Sequence, residues 1–528
     1  MTSKALPRTT ALLSNLVLMA GTIAIAAACL WVASHATSPV VVLLAAVLFG
    51  FANNTIFSFM HEAVHGMFHS NQMINETAGN IAAAFFPTVF VVQRLSHLTH
   101  HKNNRSDLER FDYYEPGDNH VLKVAQWYSI LTGLYWLFIP VVVTVYALFG
   151  GLIPWRRIVA TEGVVGRQTS ATAYFDGLQQ IPMSRVRLGW LLTIVVQLAL
   201  FWSLDLTFWR WAACYACFGL MWSSLQYADH AFSPLDEREG AWNLAVSPFT
   251  RMAFLNYHFH LCHHRDPTVR WRSLPDQVRG GDASLAFKRI LYFMWAGPRL
   301  KPGETLPSDA IEKRALTVNL FLTAIMTLVF WIVYMAGDAL HAAAVWRGDL
   351  TTVFDRMIPF YPAAAAIYLC VTPMLMAAPF VFRTPERLLP FGVAIVVELL
   401  VALAVYYVFP TEVPAVQYDP SGVIGSLMWL ADAINLDGNN LPSLHVALST
   451  SAAIGYAPLL TTGWRISAFG LAGAIAISTL LTHQHVVADV VGGIALAALG
   501  MGLVYPRAQR ALAETKAWLG SSVCNGQL

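Results

Sequence analysis

Long apolar runs separated by short polar breaks dominate this chain. Residues 11–34 and 38–60 are apolar stretches of the length a helix needs to cross a bilayer, roughly 20 residues. The run 78–92 is too short to cross comfortably and contains Pro87, whereas 124–150 is long and is followed by a polar, arginine-bearing stretch to 187. Two more spans are expected at 188–205 and 208–226, joined by a very short turn. Between 265 and 315 the pattern turns polar and basic, with Arg265, Arg270, Arg272, Arg279, Lys288, Arg289, Lys301, Lys313 and Arg314. Six apolar segments follow, near 316–336, 357–379, 388–409, 443–461, 466–482 and 486–505. The pattern predicts an all-α, polytopic membrane protein in two helical domains, 1–305 and 306–528, with the boundary at about 300–312.

Composition agrees. The chain has 528 residues, 56% hydrophobic and 12% charged, with mean hydropathy +0.52, well above a soluble domain. A net charge of +2 and the lack of a basic run leave no footprint for nucleic acid. The six cysteines are scattered; Cys214 and Cys217 fall inside an apolar run and read as structural. Lys4 and Arg8 precede an apolar run that superficially resembles a signal peptide but is as long as a span, so a retained first helix is expected.

The candidate chemistry of the first domain is carried by histidine. Asn256-Tyr-His-Phe-His-Leu-Cys-His-His264 holds four imidazoles in seven positions, and His61-Glu-Ala-Val-His65 and His97-Leu-Thr-His100-His101 lie upstream. Neutral imidazole is a common ligand for iron, copper and zinc. Offsets of three and four share a helix face, so His260, His263 and His264 are expected to aim at one point. The first cluster also fits the zinc-protease motif, with a Glu base between two ligands. A protease needs one further ligand, not seven, so the pattern reads instead as a polynuclear metal site assembled from three places.

These boxes resemble those of the integral-membrane fatty acid desaturase and hydroxylase superfamily, over roughly residues 10–285. The resemblance implies a desaturase-like helical bundle in which His61, His65, His97, His100, His101, His230, His260, His263 and His264 hold two irons at the cytosolic ends of helices. His230 matches the isolated ligand that precedes the last box, and Gln226 stands one turn upstream, where some relatives carry an amide. His65-Gly66, Asn75-Glu76 and His264-Arg-Asp-Pro267 fit as well. His258 is an additional histidine, expected behind the ligands. The activity implied is O2-dependent desaturation of an acyl chain in a membrane lipid. The sequence has no haem-binding His-Pro-Gly-Gly motif or iron–sulfur cysteine set, so electrons are expected from a separate donor, a ferredoxin or a cytochrome b5-like protein with its reductase.

Topology follows from counting. Lys4 and Arg8 place the N-terminus in the cytoplasm, the inner-membrane case if the source is bacterial, and two crossings return the chain there at His61. Because the boxes must meet on one face, the chain between His101 and 187 must cross an even number of times. Arg156, Arg157, Arg167, Arg185 and Arg187 favour a cytoplasmic 151–187. The segments 78–92 and 124–150 are therefore expected to dip into the membrane or lie along it.

The second domain has chemistry of its own. Pro442-Ser-Leu-His445 opens one helix and His485-Val-Val-Ala-Asp489 another, followed by Gly492-Gly493. Asp489, four residues from His485, can hold that imidazole in its nucleophilic tautomer, and a second histidine can protonate a leaving oxygen. Together the motifs resemble the type 2 phosphatidic acid phosphatase (PAP2) superfamily near its inositol-phosphoceramide synthase branch, over about 316–508. That resemblance implies a six-helix bundle in which His485 attacks a phosphoester, His445 is the acid and Asp489 orients His485. Arg383 and Arg387 follow an outside-to-inside crossing and are expected on the cytoplasmic face, and the same count puts the active histidines on the exoplasmic face. The family's phosphate-clamping bases are missing: Pro410-Thr-Glu-Val-Pro-Ala-Val416 carries none, and Thr479 stands where Arg is common. No Lys or Arg occurs between Arg387 and Arg465, which leaves Arg347 and Arg356 as substitutes and His483 as a partial one when protonated. A slow or narrow phosphatase is expected, since phosphoryl transfer needs its charge stabilised.

The reading is a two-module membrane lipid enzyme. Rival readings are a di-iron hydroxylase or ketolase of a sphingoid or carotenoid chain beside an inactive PAP2-like scaffold, and a transporter or lipid-binding scaffold. The transporter would carry its ionisable residues midway across the bilayer, whereas these clusters stand at helix ends.

Overall fold

The computed structural model describes residues 8–153, 170–436 and 438–525, and among these the fold is helical apart from four two-residue strands. Lys4, Arg156, Arg157 and Arg167, used above for sidedness, lie outside the described residues. Two compact units result, Met1–Thr305 with Thr515–Leu528, and Leu306–Glu514. Seven helices among the described residues are long and apolar enough to cross a membrane, or up to nine if each of two bent pairs counts as one span. The protein is an all-α polytopic membrane protein.

In the first unit α1 (Arg8–His35) and α2 (Pro39–Val64) form an antiparallel pair over the expected spans, and α2 carries His61 in its last turn. The run 78–92 is divided between α3 (Gln72–Phe85) and α4 (Phe90–Asn103), which meet at 93°. The run 124–150 is likewise split into α5 (His120–Leu131) and α6 (Leu134–Phe149), which meet at 97°. Gly133 makes the second corner at φ +80°, where a Cβ would lie 2.7 Å from the Leu220 backbone nitrogen, so only glycine fits. After α7 (Ser170–Gln180) come α8 (Met183–Ser203) and α9 (Phe208–Ala228). Only α8 has the apolar character of a span. The expected span at 208–226 has the length, but Ser223, Ser224, Gln226 and a run of Trp and Tyr dilute it.

The core of this unit is aromatic. Phe57 and Phe86 pack edge-on against Trp222 at 5.5 and 4.7 Å between ring centroids, joining α2, the α3–α4 corner and α9. Beside it lies a buried ionic knot. Arg105 donates to Asp112 at 2.7 Å, Tyr227 donates to the same oxygen at 2.8 Å, and the Phe232 amide donates to the other oxygen at 2.6 Å. Arg105 and Asp112 are 3% and 0% exposed, so the pair is out of water and ties the chain after α4 to the end of α9.

The second unit contains α10 (Ser308–Ala342), α11 (Pro385–Val408), α12 (Gly422–Ile434), α13 (Leu444–Tyr456), α14 (Thr462–Leu481) and α15 (Val487–Leu499); a π turn joins α15 to α16 (Tyr505–Asn525), whose residues up to Glu514 belong to this unit. The segment expected at 357–379 is not one helix: between Pro362 and Phe382 it is a series of short turns, broken where Pro362, Pro373 and Pro379 remove amide donors. Helix α12 is additional to the expected set. Helices α13 and α15 approach closely because Gly493 has no side chain; a Cβ there would come within 2.6 Å of the Ser443 carbonyl oxygen.

Candidate metal centre and phosphoryl site

Eight histidines of the boxes and His230, nine in all, converge into two groups. His61, His65, His97, His101 and His263 form one, and His100, His230, His260 and His264 the other, with one ring nitrogen per residue lying within 4.8 Å of the others in its group. Helix geometry explains the sorting. Residues four apart lie one above the other, so His61 and His65, His97 and His101, and His260 and His264 each serve one group. The histidine between, His100 or His263, points about 100° away from its successor and serves the other group. The expectation that His260, His263 and His264 share one point is therefore corrected: His263 parts from the other two.

Within each group the Nε2 atoms face one another. His65 and His97 are 2.9 Å apart, His97 and His101 3.0 Å, His101 and His263 3.0 Å, and His100 and His230 3.2 Å. A single Nε2 has one in-plane proton or lone pair, so His97 and His101 cannot satisfy two such partners by hydrogen bonding. Two nitrogens bound to one metal ion at right angles, each about 2.1 Å away, lie about 3 Å apart. The Nε2 atoms of His61 and His264 are buried with no partner at all. Burial, reinforced by neighbouring imidazoles, pushes His230, His260, His263 and His264 well below the ordinary range, and burial with Arg94 nearby takes His65 to about 4. These rings stand neutral, the form that offers a lone pair, and the donor set fits two metal ions.

Supporting contacts orient the rings. His100 Nδ1–H donates to Glu109 at 2.7 Å and His230 Nδ1–H to the Gly240 carbonyl at 2.9 Å, which leaves each Nε2 free to face inward. Arg94 pairs with Glu76 at 2.6 Å and joins α3 to α4. His258 is buried but belongs to neither group. Tyr257 packs on His61 and His260 and accepts a 2.6 Å hydrogen bond from the Gln226 amide, so Gln226 stands behind the rings. Cys214 and Cys217 are free thiols.

A cavity of about 340 Å³ opens on this site, reaching His97, His100, His230 and His260. Helix α6 lines it with Phe138, Ile139, Val142 and Val143, whereas α4, α5 and α9 contribute Gln93, Thr99, Gln126, Ser223 and Gln226. Three of its four histidines belong to the four-membered group, so the cavity meets the centre chiefly on that side.

In the second unit His445, His485 and Asp489 come together. His485 Nδ1–H donates to Asp489 at 3.3 Å, and the His445 and His485 rings are 5.9 Å apart. The Ser443 amide donates to the Asp489 carbonyl at 3.0 Å, stitching the two motifs backbone to backbone. His485 Nε2 is buried and unpartnered. Tyr368, which sequence reasoning missed, lies against His445. Arg356 lines a cavity of about 390 Å³ with His483 and His485, and Arg347 one of about 310 Å³ with His341 and His483. Arg347 also donates to the His341 carbonyl at 3.3 Å.

Comparison with protein families finds two matches. The fatty acid desaturase family matches residues 36–296, and the PAP2 superfamily matches residues 344–503. No curated protein matches the chain in sequence.

Proposed function

Starting from a membrane lipid-modifying enzyme that carries a fatty acid desaturase domain followed by a PAP2 superfamily domain, we propose that the first domain, 1–305, is a di-iron acyl-lipid desaturase. The observation that carries this reading is the division of nine imidazoles into groups of five and four beside a cavity. Iron held there would supply the reduction of O2 and the removal of hydrogen from an unactivated carbon. The chain's own residues do the rest. Glu109 and the Gly240 carbonyl fix ring orientation, α6 presents an apolar wall to the hydrocarbon, and the aromatic core around Trp222 keeps water from behind it. The iron site faces the cytoplasm on this reading, and a ferredoxin or cytochrome b5-like donor delivers electrons there.

The second domain, 306–528, cleaves or transfers a lipid phosphate on the opposite face. His485 is the nucleophile through Nε2, Asp489 holds its Nδ1–H, and His445 protonates the leaving oxygen. Arg356, Arg347 and His483 take the place of the family's phosphate clamp.

The test is lipid analysis of a host expressing the wild type or His263→Ala. Chains that have lost two hydrogens only with the wild type support desaturation. Chains that have gained one oxygen instead turn the reading to hydroxylation, and unchanged lipids in both defeat the oxidative role.

A further inference from the structure

The cavity beside the four-histidine group carries polar atoms that a plain hydrocarbon would leave unsatisfied. Trp222 and Ser223 line it at 2% and 0% exposure, and both the Trp222 Nε1–H and the Ser223 hydroxyl are buried without a hydrogen-bond partner. Glu109 lines it too: its Oε1 accepts from His100, while its Oε2 is buried and unpartnered. A buried polar atom left unpaired is destabilising, and three among the residues lining one cavity make a site that waits for a polar group. The Gln93, Gln126 and Gln226 side chains on the same walls extend that character.

The three atoms also say which polar group fits. An indole N–H can only donate, a carboxylate oxygen can only accept, and a serine hydroxyl can do either. A carbonyl or ether oxygen would satisfy the indole and leave the carboxylate bare. A hydroxyl satisfies both, accepting from Trp222 and donating to Glu109. Because Glu109 holds His100 through its other oxygen, that hydroxyl would sit one residue from a ring of the four-histidine group.

We propose that the cavity recognises a chain bearing a hydroxyl group near the carbon presented to the four-histidine group, with Trp222, Ser223 and Glu109 as the recognition site. This deepens the oxidative reading above by naming its substrate as a hydroxylated chain and not a plain acyl chain. The apolar wall from α6 accommodates the hydrocarbon that continues from the hydroxyl-bearing carbon.

The test is equilibrium binding of tritiated stearic acid and of a series of monohydroxystearic acids that differ in hydroxyl position. The full-length, iron-loaded protein is held in nanodiscs under nitrogen, where no turnover occurs, and partitioning into empty nanodiscs is subtracted. At least one hydroxy acid is expected to bind about tenfold tighter than stearic acid. Ser223→Ala and Trp222→Phe should each lower that preference by about threefold or more, with iron content measured as the check on folding. Equal binding of stearic acid and every hydroxy acid, or a preference that survives both substitutions, overturns the proposal. The two readings fail separately. Protein that holds no iron yet keeps the preference defeats the oxidation and supports the hydroxyl site, whereas iron-loaded protein that oxidises stearic acid and shows no preference defeats the hydroxyl site alone.

Discussion

The Tyr368 hydroxyl lies 3.3 Å from Nδ1 of His445, and the two rings stack at 4.1 Å between centroids. Tyr368 is fully buried, so this contact fixes His445 from the side away from solvent. A phenol donating to Nδ1 leaves the ring's proton on Nε2, the tautomer that presents a hydrogen to a phosphate oxygen.

Tyr368→Phe is therefore expected to lower kcat for phosphate release from a lipid phosphate by roughly ten- to a hundredfold, with KM little changed. Wild type, Tyr368→Phe and His485→Ala are assayed on phosphatidic acid and a lipid diphosphate. A Tyr368→Phe rate equal to wild type would remove Tyr368 from the mechanism. Wild-type release no faster than His485→Ala would remove the phosphatase.

Purified protein should contain close to two irons per chain, following the two histidine groups. His263→Ala removes one of the five donors of the larger group and should lose iron and oxidation activity while keeping its helical circular dichroism. Zinc as the native ion, or undiminished iron in the variant, contradicts the di-iron reading.

Asp112→Ala strands the buried Arg105 guanidinium and should destabilise the first unit by about 3–5 kcal/mol. Asp112→Asn, which keeps a hydrogen-bond acceptor, should cost less. Denaturant unfolding in detergent measures both, and a loss below about 1 kcal/mol would mean that the pair behaves as if solvated.

Sidedness can be read by thiol labelling in a variant without native cysteines. The exposed Gln417 reports for the phosphoryl face and the exposed Lys102 for the metal face. A cysteine at 417 should label from outside intact cells, and one at 102 only after permeabilisation. Labelling of both from one side breaks the topology.

Asp355 links pH to the phosphoryl site, because it accepts from the Val487 amide at 2.7 Å at the start of α15. Burial alone would raise this carboxyl, but hydrogen bonds from Thr352 and from the Val487 amide outweigh it and hold it below the ordinary range. A depressed folded value means that the contact stabilises fully above the unfolded carboxylate value, about 3.9, and is lost as pH falls through the folded one. Asp355→Asn should lower the thermal midpoint at neutral pH and converge with wild type under strongly acidic conditions. A difference that persists there would assign the effect to packing.

The histidine boxes were legible because their spacing is a local property of a helix and the residues are chemically distinctive. Their sorting into two groups could have been read too: spacing by four pairs His97 with His101 and His260 with His264, and leaves His100 and His263 to cross over. Mean apolarity hid the break in 357–379, although Pro362, Pro373 and Pro379 announced it. Glu109 is an ordinary loop carboxylate until folding brings it to His100, and Tyr368 is 77 residues from His445. Neither has a sequence signal. The Arg105–Asp112–Tyr227 knot likewise depends on a contact between α9 and a loop 115 residues earlier.

Five donors at one position and four at the other are unequal grips, and the arithmetic of partial occupancy follows. A preparation exposed to a mild chelator would empty the four-donor position first and leave singly loaded chains. Where turnover needs both positions filled, the active fraction is the product of the two occupancies and not their mean. Activity then declines faster than iron content, and a preparation averaging one iron per chain can be almost inert without having unfolded. On the di-iron reading, specific activity is meaningful only when reported per doubly loaded chain.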